Sequence, residues 1–159
     1  VDNLPVEQRD PNGPLRIPIL DKQKERGIVI HGKVMQGTVR IGDKLALSPH
    51  HTASQVGFIL DHKNQNVRFA RPGENVQIKL LHIKEEEDEL VQKGHVLCFR
   101  DQIMPASEIF EAEIELLELL DFKPIFSKGY QCMLHMHTFA DECTIKEILV
   151  AYEKDPNTG

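Results

Sequence analysis

The stretch from Leu15 to Val39 reads LRIPILDKQKERGIVIHGKVMQGTV, two short apolar runs joined by a charged turn. In the second run Ile28 and Ile30 alternate with Val29 and His31, the period-two signal of a strand. That run leads into a Gly-x-x-x-x-Gly frame at Gly32 and Gly37. The frame is not the phosphate loop of nucleotide-binding proteins. Such a loop continues with Lys and then Ser or Thr, whereas Gly37 is followed by Thr38 and Val39.

Working outward, turn signals recur every eight to twelve residues or so, the rhythm of an all-β barrel or sandwich. They include PNGP at 11–14, SPHH at 48–51, DHKNQN at 61–66, RPGEN at 71–75 and QKG at 92–94. Between them lie short β-branched runs. Leu45 and Leu47 follow Asp43, and Val56, Phe58 and Leu60 alternate through the next run. Val76, Ile78 and Leu80 alternate with Gln77 and Lys79. Pro105 breaks the pattern, which predicts one complete unit at 1–104 and a second at 105–159. In the second, SEIFEAEIELLELL suits helix by composition and strand by the alternation of Phe110, Ala112, Ile114 and Leu116 with glutamates. GYQCMLHMHT at 129–138 and TIKEILVAY at 144–152 read as two further strands. Three strands cannot close a barrel, so the second unit is expected to be incomplete.

Composition bounds the function. With 40% hydrophobic and 28% charged residues, the 159-residue chain falls in the soluble globular range. No run approaches the roughly 18 apolar residues of a membrane-spanning helix, and no signal peptide is visible, so a cytoplasmic protein with no membrane partner is expected. The first residue is not Met and the last five are a turn-like DPNTG, which reads as a segment of something longer. A net charge of −6 argues against wrapping nucleic acid by charge alone. The acids are unevenly placed, however. KEEEDE at 84–89, read as a self-repelling exposed loop, and Glu111, Glu113, Glu115 and Glu118 hold much of the negative charge, which leaves 15–79 basic. Cys98, Cys132 and Cys143 form no CxxC pair and read as reduced, buried thiols.

Taken in order, GPLRIPILDK at 13–22, RPGENVQIKL at 71–80, KGHVLC at 93–98, FEAEIELLE at 110–118 and GYQCMLHMHT at 129–138 resemble domain 2 and the first part of domain 3 of the elongation-factor-like GTPases of translation. Within that family the chain is most similar to the GTPase subunits of eukaryotic release factors. The resemblance implies two consecutive small β-barrels, the second incomplete, and resolves 107–118 as strand. It implies a non-catalytic region that binds a class I release factor and docks on small-subunit ribosomal RNA, coupled in cis to a GTPase domain. GTP and Mg would belong to that domain, and this segment would hold no cofactor. Aminoacyl-tRNA carriers of the family have Gly-Arg-Val-Glu where this chain has Gly32-Lys33-Val34-Met35, and Met35 removes an acceptor such a site would use. The ribosome-rescue GTPase and the aminoacyl-tRNA carrier are the alternatives within the family, and an independent nucleic-acid-binding barrel is the one outside it. No exposed aromatic stacking row is legible to support the last.

No nucleophile elbow or Cys–His pair is visible, and a row of glutamates along one strand edge reads as a wet face rather than an acid–base set. His135 and His137 have a spacing that can ligate zinc, but no third ligand stands near them, and they read as interface histidines. Met133, His135, His137 and Phe139 are the candidate protein-binding residues, since exposed Met and aromatic mixtures are common at protein contacts. Lys33, Arg40, Lys44, Lys63 and Arg68 are the candidates for the face toward ribosomal RNA.

Overall fold

The computed structural model describes residues 10–24, 27–118, 125–136 and 139–152. The two runs of the opening stretch are β1 (Ile17–Lys24) and β2 (Ile28–Lys33), an antiparallel pair with one register shift between Ile19 and Asp21. Gly32 lies where β1 passes close to β2. A Cβ there would stand 2.7 Å from the Ile17 Cγ2 methyl and 3.0 Å from the Pro18 carbonyl oxygen.

The chain continues through β3 (Val39–Arg40), β4 (Lys44–Ser48), β5 (Thr52–Leu60), β6 (Asn66–Val67), β7 (Phe69–Ala70), β8 (Asn75–Leu81) and β9 (Val96–Phe99). Pairing runs β4–β9–β1–β2–β8–β5, and β5 returns to β4, so six antiparallel strands close a barrel. Closure removes the edges that would otherwise invite foreign strands. β6 extends β5, while β3 and β7 form a separate two-stranded ribbon.

Alternation fills the interior. Ile17 and Ile19 from β1, Ile28 and Ile30 from β2, Leu45 and Leu47 from β4, and Val76, Ile78 and Leu80 from β8 are all buried. Leu97 from β9 and Val91 close the core. On β5 the expected Val56–Phe58–Leu60 alternation fails. Val56 and Ile59 face inward and Phe58 and Leu60 are half-buried, because the β5–β8 register slips by one residue between Val56 and Ile59. A bulge flips every later side chain to the other face. The outer face of β4 is covered as well: Ser48 is buried and its hydroxyl donates to the Met104 carbonyl at 2.6 Å.

The acidic run is not a free loop. Glu85–Leu90 forms a short 3-10 helix, and Asp88 receives the ammonium groups of Lys24 at 2.7 Å and Lys22 at 3.4 Å. The bond from Lys24, and then that from Lys22, hold the Asp88 carboxyl below the usual carboxylate range. The turn is tied to β1 by one acid of the run, and the buried side chain of Val91 pins the chain to the core immediately after it.

His95 lies a few residues beyond this turn. Its Nδ1 stands 2.8 Å from the Leu90 carbonyl oxygen, and its ring centroid is 5.1 Å from that of His50. Burial pushes the His95 imidazole below its ordinary value of 6.5; the Leu90 carbonyl opposes this and His50 adds to it. Below pH 6.5 the unfolded chain therefore binds the proton more readily than the fold does. Stability is expected to be level above pH 6.5 and to fall as pH drops through the window below it. Urea midpoints between pH 5 and 8 would show this slope, and His95→Phe is expected to flatten it. Asp88 acts in a separate window, its contribution being lost only as pH falls below the ordinary carboxylate range.

The chain divides into two units, Val1–Glu108 and Ile109–Gly159. In the second, β10 (Gln131–Met136) and β11 (Phe139–Thr144) pair as an antiparallel hairpin. Neither 109–118 nor 145–152 carries a regular element, contrary to the strands expected there. Alternation makes a segment fit to be a strand, but a strand exists only where a neighbour supplies the ladder of N–H and C=O groups. The hairpin ladder ends at Ile145, whose N–H donates to the Tyr130 carbonyl and whose carbonyl accepts from the Gly129 N–H, and Phe110, Ile114, Leu116, Leu149 and Val150 are exposed.

Candidate RNA-facing patch and partner face

Of the five basic candidates, Arg40 lies on the β3–β7 ribbon and Arg68 immediately precedes its second strand. Ladder pairing sets Val39 opposite Ala70 and Arg40 opposite Phe69. Val39 and Ala70 point into the core, so the two-residue period turns Arg40 and Phe69 outward as a directly opposed pair. Arg68 precedes Phe69, and its carbonyl accepts from the Ile41 N–H at 3.1 Å. Arg68 is exposed. Lys44 is exposed at the start of β4, just past the turn in which the Arg40 N–H donates to Asp43 Oδ2 at 2.7 Å. Lys33 ends β2 opposite Asn75, and Lys63 lies in the turn closed on Asp61, whose Oδ1 accepts from the Lys63 and Gln65 N–H groups.

Sequence reasoning missed Phe69 and Arg71. Phe69 is 46% exposed on the outer face of the ribbon, and the Arg71 guanidinium carbon lies 5.2 Å from its ring centroid. With Pro11, Asn12, Thr38 and Arg40 they line a shallow cleft of about 430 Å³. The Thr38 hydroxyl closes one side by donating to the Pro11 carbonyl at 2.9 Å. The signal was the string Arg68-Phe69-Ala70-Arg71, an aromatic between two arginines on a strand too short to bury it.

In the second unit, Met133 and His135 are exposed on β10, and Phe139 opens β11 opposite Met136. His137 lies outside the described residues. Cys132 and Cys143 face each other across the hairpin with their sulfurs 3.3 Å apart, both half-buried, whereas Cys98 is buried in the barrel. The bond to Cys132 raises the Cys143 thiol above its ordinary value, which keeps it protonated and a poor nucleophile. The expectation of three buried thiols thus holds for Cys98 alone, the two hairpin thiols being only half-buried.

Among the described residues no group of three or more His, Cys, Asp or Glu side chains could hold a metal ion, and no helix is long and apolar enough to cross a membrane. The Gly32–Gly37 frame does not fit a nucleotide phosphate. The Gly37 N–H is already donated to the Asp10 carbonyl at 2.9 Å, and Gly32 sits within the β2 ladder.

No protein-family model matches the chain. Eukaryotic peptide chain release factor GTP-binding subunits from Debaryomyces hansenii and Candida maltosa are each 34% identical to it over 157 residues. The counterpart from Dictyostelium discoideum is 31% identical over 159 residues. Each alignment takes in 99% of this chain but only 22%, 21% and 28% of those relatives, so the chain spans less than a third of their length. A crystal structure of sup35 complexed with GMPPNP matches with a TM-score of 0.76 at 27% identity, over 91% of this chain and 33% of that one. The apo crystal structure of translation elongation factor SelB from Methanococcus maripaludis shares the fold over 59% of this chain and 20% of that one, with a TM-score of 0.53 at 22% identity. Over the residues they align, sequence and fold agree: the chain is similar to one region of the eukaryotic peptide chain release factor GTP-binding subunits, a region with an elongation-factor-like β-barrel fold.

Proposed function

We propose that this chain is the non-catalytic coupling region of a translation-termination GTPase, binding a class I release factor and docking on small-subunit ribosomal RNA. The observation that carries the proposal is the match to release factor GTP-binding subunits over 99% of the chain, together with a closed barrel whose interior is filled by aliphatic side chains. We assign the barrel to the domain 2 type and the second unit to the first strands of a domain 3 type. GTP and Mg2+ act in a GTPase domain joined in cis, in the cytoplasm.

The two units divide the work by surface chemistry. Arg40 and Arg68, with Lys33, Lys44 and Lys63 elsewhere on the barrel rim, offer cations to RNA phosphates, contacts that position without reading sequence. Met133, His135, His137 and Phe139 form the protein-binding set. Met133 and Met136 expose adaptable apolar surface of the kind that protein contacts favour. Because the barrel is closed and densely filled, a push on one face reaches the other without being absorbed. That is what coupling nucleotide state to a bound release factor requires.

Excess chain added to a reconstituted termination reaction tests this reading. It should slow GTP-dependent peptide release by occupying the class I release factor, and further class I factor should restore the rate. Release that is unchanged at saturating chain counts against the proposal.

A further inference from the structure

We propose that the β3–β7 cleft is a nucleotide-stacking site, taking one unpaired nucleotide of an RNA strand with its base on Phe69 and its phosphate between Arg40 and Arg71. The inference rests on the RNA-docking reading for the source of the strand, but it assigns that contact a chemistry that phosphate docking alone does not need.

Phe69 is the first reason. A phenyl ring 46% exposed on an otherwise closed barrel is not serving the core, and the ladder that turns it outward also sets Arg40 directly opposite. The second is the Arg71 guanidinium, 5.2 Å from the ring centroid. A guanidinium and a phenyl ring in contact form the start of a stack that a flat base can extend, and a base brings its own phosphate to the flanking cations. Charge is the third. None of the six lining residues is acidic, and neither Arg40 nor Arg71 makes an ion pair among the described residues. The neighbouring carboxylates of Asp43 and Glu74 each accept a backbone N–H, from Arg40 at 2.7 Å and from Arg71 at 3.0 Å. Asn12 adds an exposed amide on the cleft wall, able to donate to and accept from a base edge.

The size agrees: about 430 Å³ lies within the roughly 300–1,000 Å³ of small-ligand sites. An acidic peptide would engage both arginines but leave the ring unused. Duplex RNA keeps its bases stacked on each other, so it too would leave the ring unused.

The chain contains no tryptophan, so Phe69→Trp installs a single fluorescent reporter in the cleft. The variant is titrated at low salt with a six-nucleotide single-stranded oligoadenylate, a six-base-pair RNA duplex, AMP and hexaglutamate. Oligoadenylate is expected to quench the indole and to bind about tenfold or more tighter than the other three. In the otherwise unchanged chain, Phe69→Leu is expected to weaken oligoadenylate binding about tenfold, the scale of one lost base stack. Circular dichroism of the Leu variant should be unchanged, because the ring is half outside the core. Arg40→Ala should weaken binding and reduce its salt dependence by about one phosphate contact. An effect of Arg40→Ala with none from Phe69→Leu overturns the stacking site and leaves phosphate docking standing. Equal binding of AMP, duplex or hexaglutamate overturns the assignment to an unpaired RNA strand. No RNA binding at all overturns both readings.

Discussion

Gly37→Ala is expected to destabilise the barrel by about 2–5 kcal/mol, a large part of the 5–15 kcal/mol typical of a folded domain. Two costs combine. Gly37 is buried with φ +73°, where a side chain costs about 1–2 kcal/mol in backbone conformation. Its added Cβ would also stand 2.8 Å from the Gly13 carbonyl oxygen and 2.8 Å from Leu15 Cα. Those atoms are backbone and cannot swing aside, so the strain is of the overpacking kind, about 1–3 kcal/mol. Displacing Leu15 also disturbs the bridge between Arg16 and Gln36, where the Arg16 N–H donates to the Gln36 carbonyl at 3.0 Å and the Met35 N–H donates to the Arg16 carbonyl at 2.9 Å. Gly42→Ala is the control. Its φ is +88°, yet nothing lies within 4 Å of an added Cβ, so only the conformational cost applies. Chemical unfolding of the two variants separates the costs. Equal midpoints would mean that the packing of Gly37 on the Gly13–Leu15 backbone contributes nothing.

The second large expected effect is a contrast in amide hydrogen exchange. Amides of β1, β2 and β8, in the closed ladder over the buried core, should open only with global unfolding. Amides of β10 and β11 should exchange at least a thousandfold faster. A two-stranded hairpin is marginal in water unless something packs on it, and Met133 and Met136 are exposed on β10. A bound partner is expected to slow exchange in this hairpin, since covering the strand is what its stability lacks. Equal protection in barrel and hairpin would contradict this account of the second unit.

These expectations trace what the sequence could and could not tell. Val76, Ile78 and Leu80 were legible because a strand with one wet face writes its period directly into the residue order. The Gly32–Gly37 frame was legible as a feature, although its reasons, close strand approach at one glycine and a left-handed turn at the other, needed coordinates. β5 was misread because a bulge is one extra residue whose place depends on the partner strand. The residues of the 109–118 run left helix and strand open and only the family resemblance implied strand, because alternation reports fitness for a sheet and not whether the segment is in one. Asp88 was hidden within a run of like charges, distinguished from its neighbours only by where Lys22 and Lys24 happen to point. The five basic candidates, Lys33, Arg40, Lys44, Lys63 and Arg68, were named by charge alone. Phe69 was passed over because one aromatic on a two-residue strand has no period, and only its pairing with Arg40 turns it outward.

The most direct test of the central claim is calorimetric titration of the 159-residue chain with a class I release factor, run in parallel with its ribosome-rescue homologue and with aminoacyl-tRNA. The account predicts saturable binding of the release factor, weaker binding of the rescue homologue and none of the tRNA, with Met133→Glu and His135→Glu each reducing the release-factor affinity. Preference for the rescue homologue or for tRNA, or heat only of dilution with all three, would contradict it.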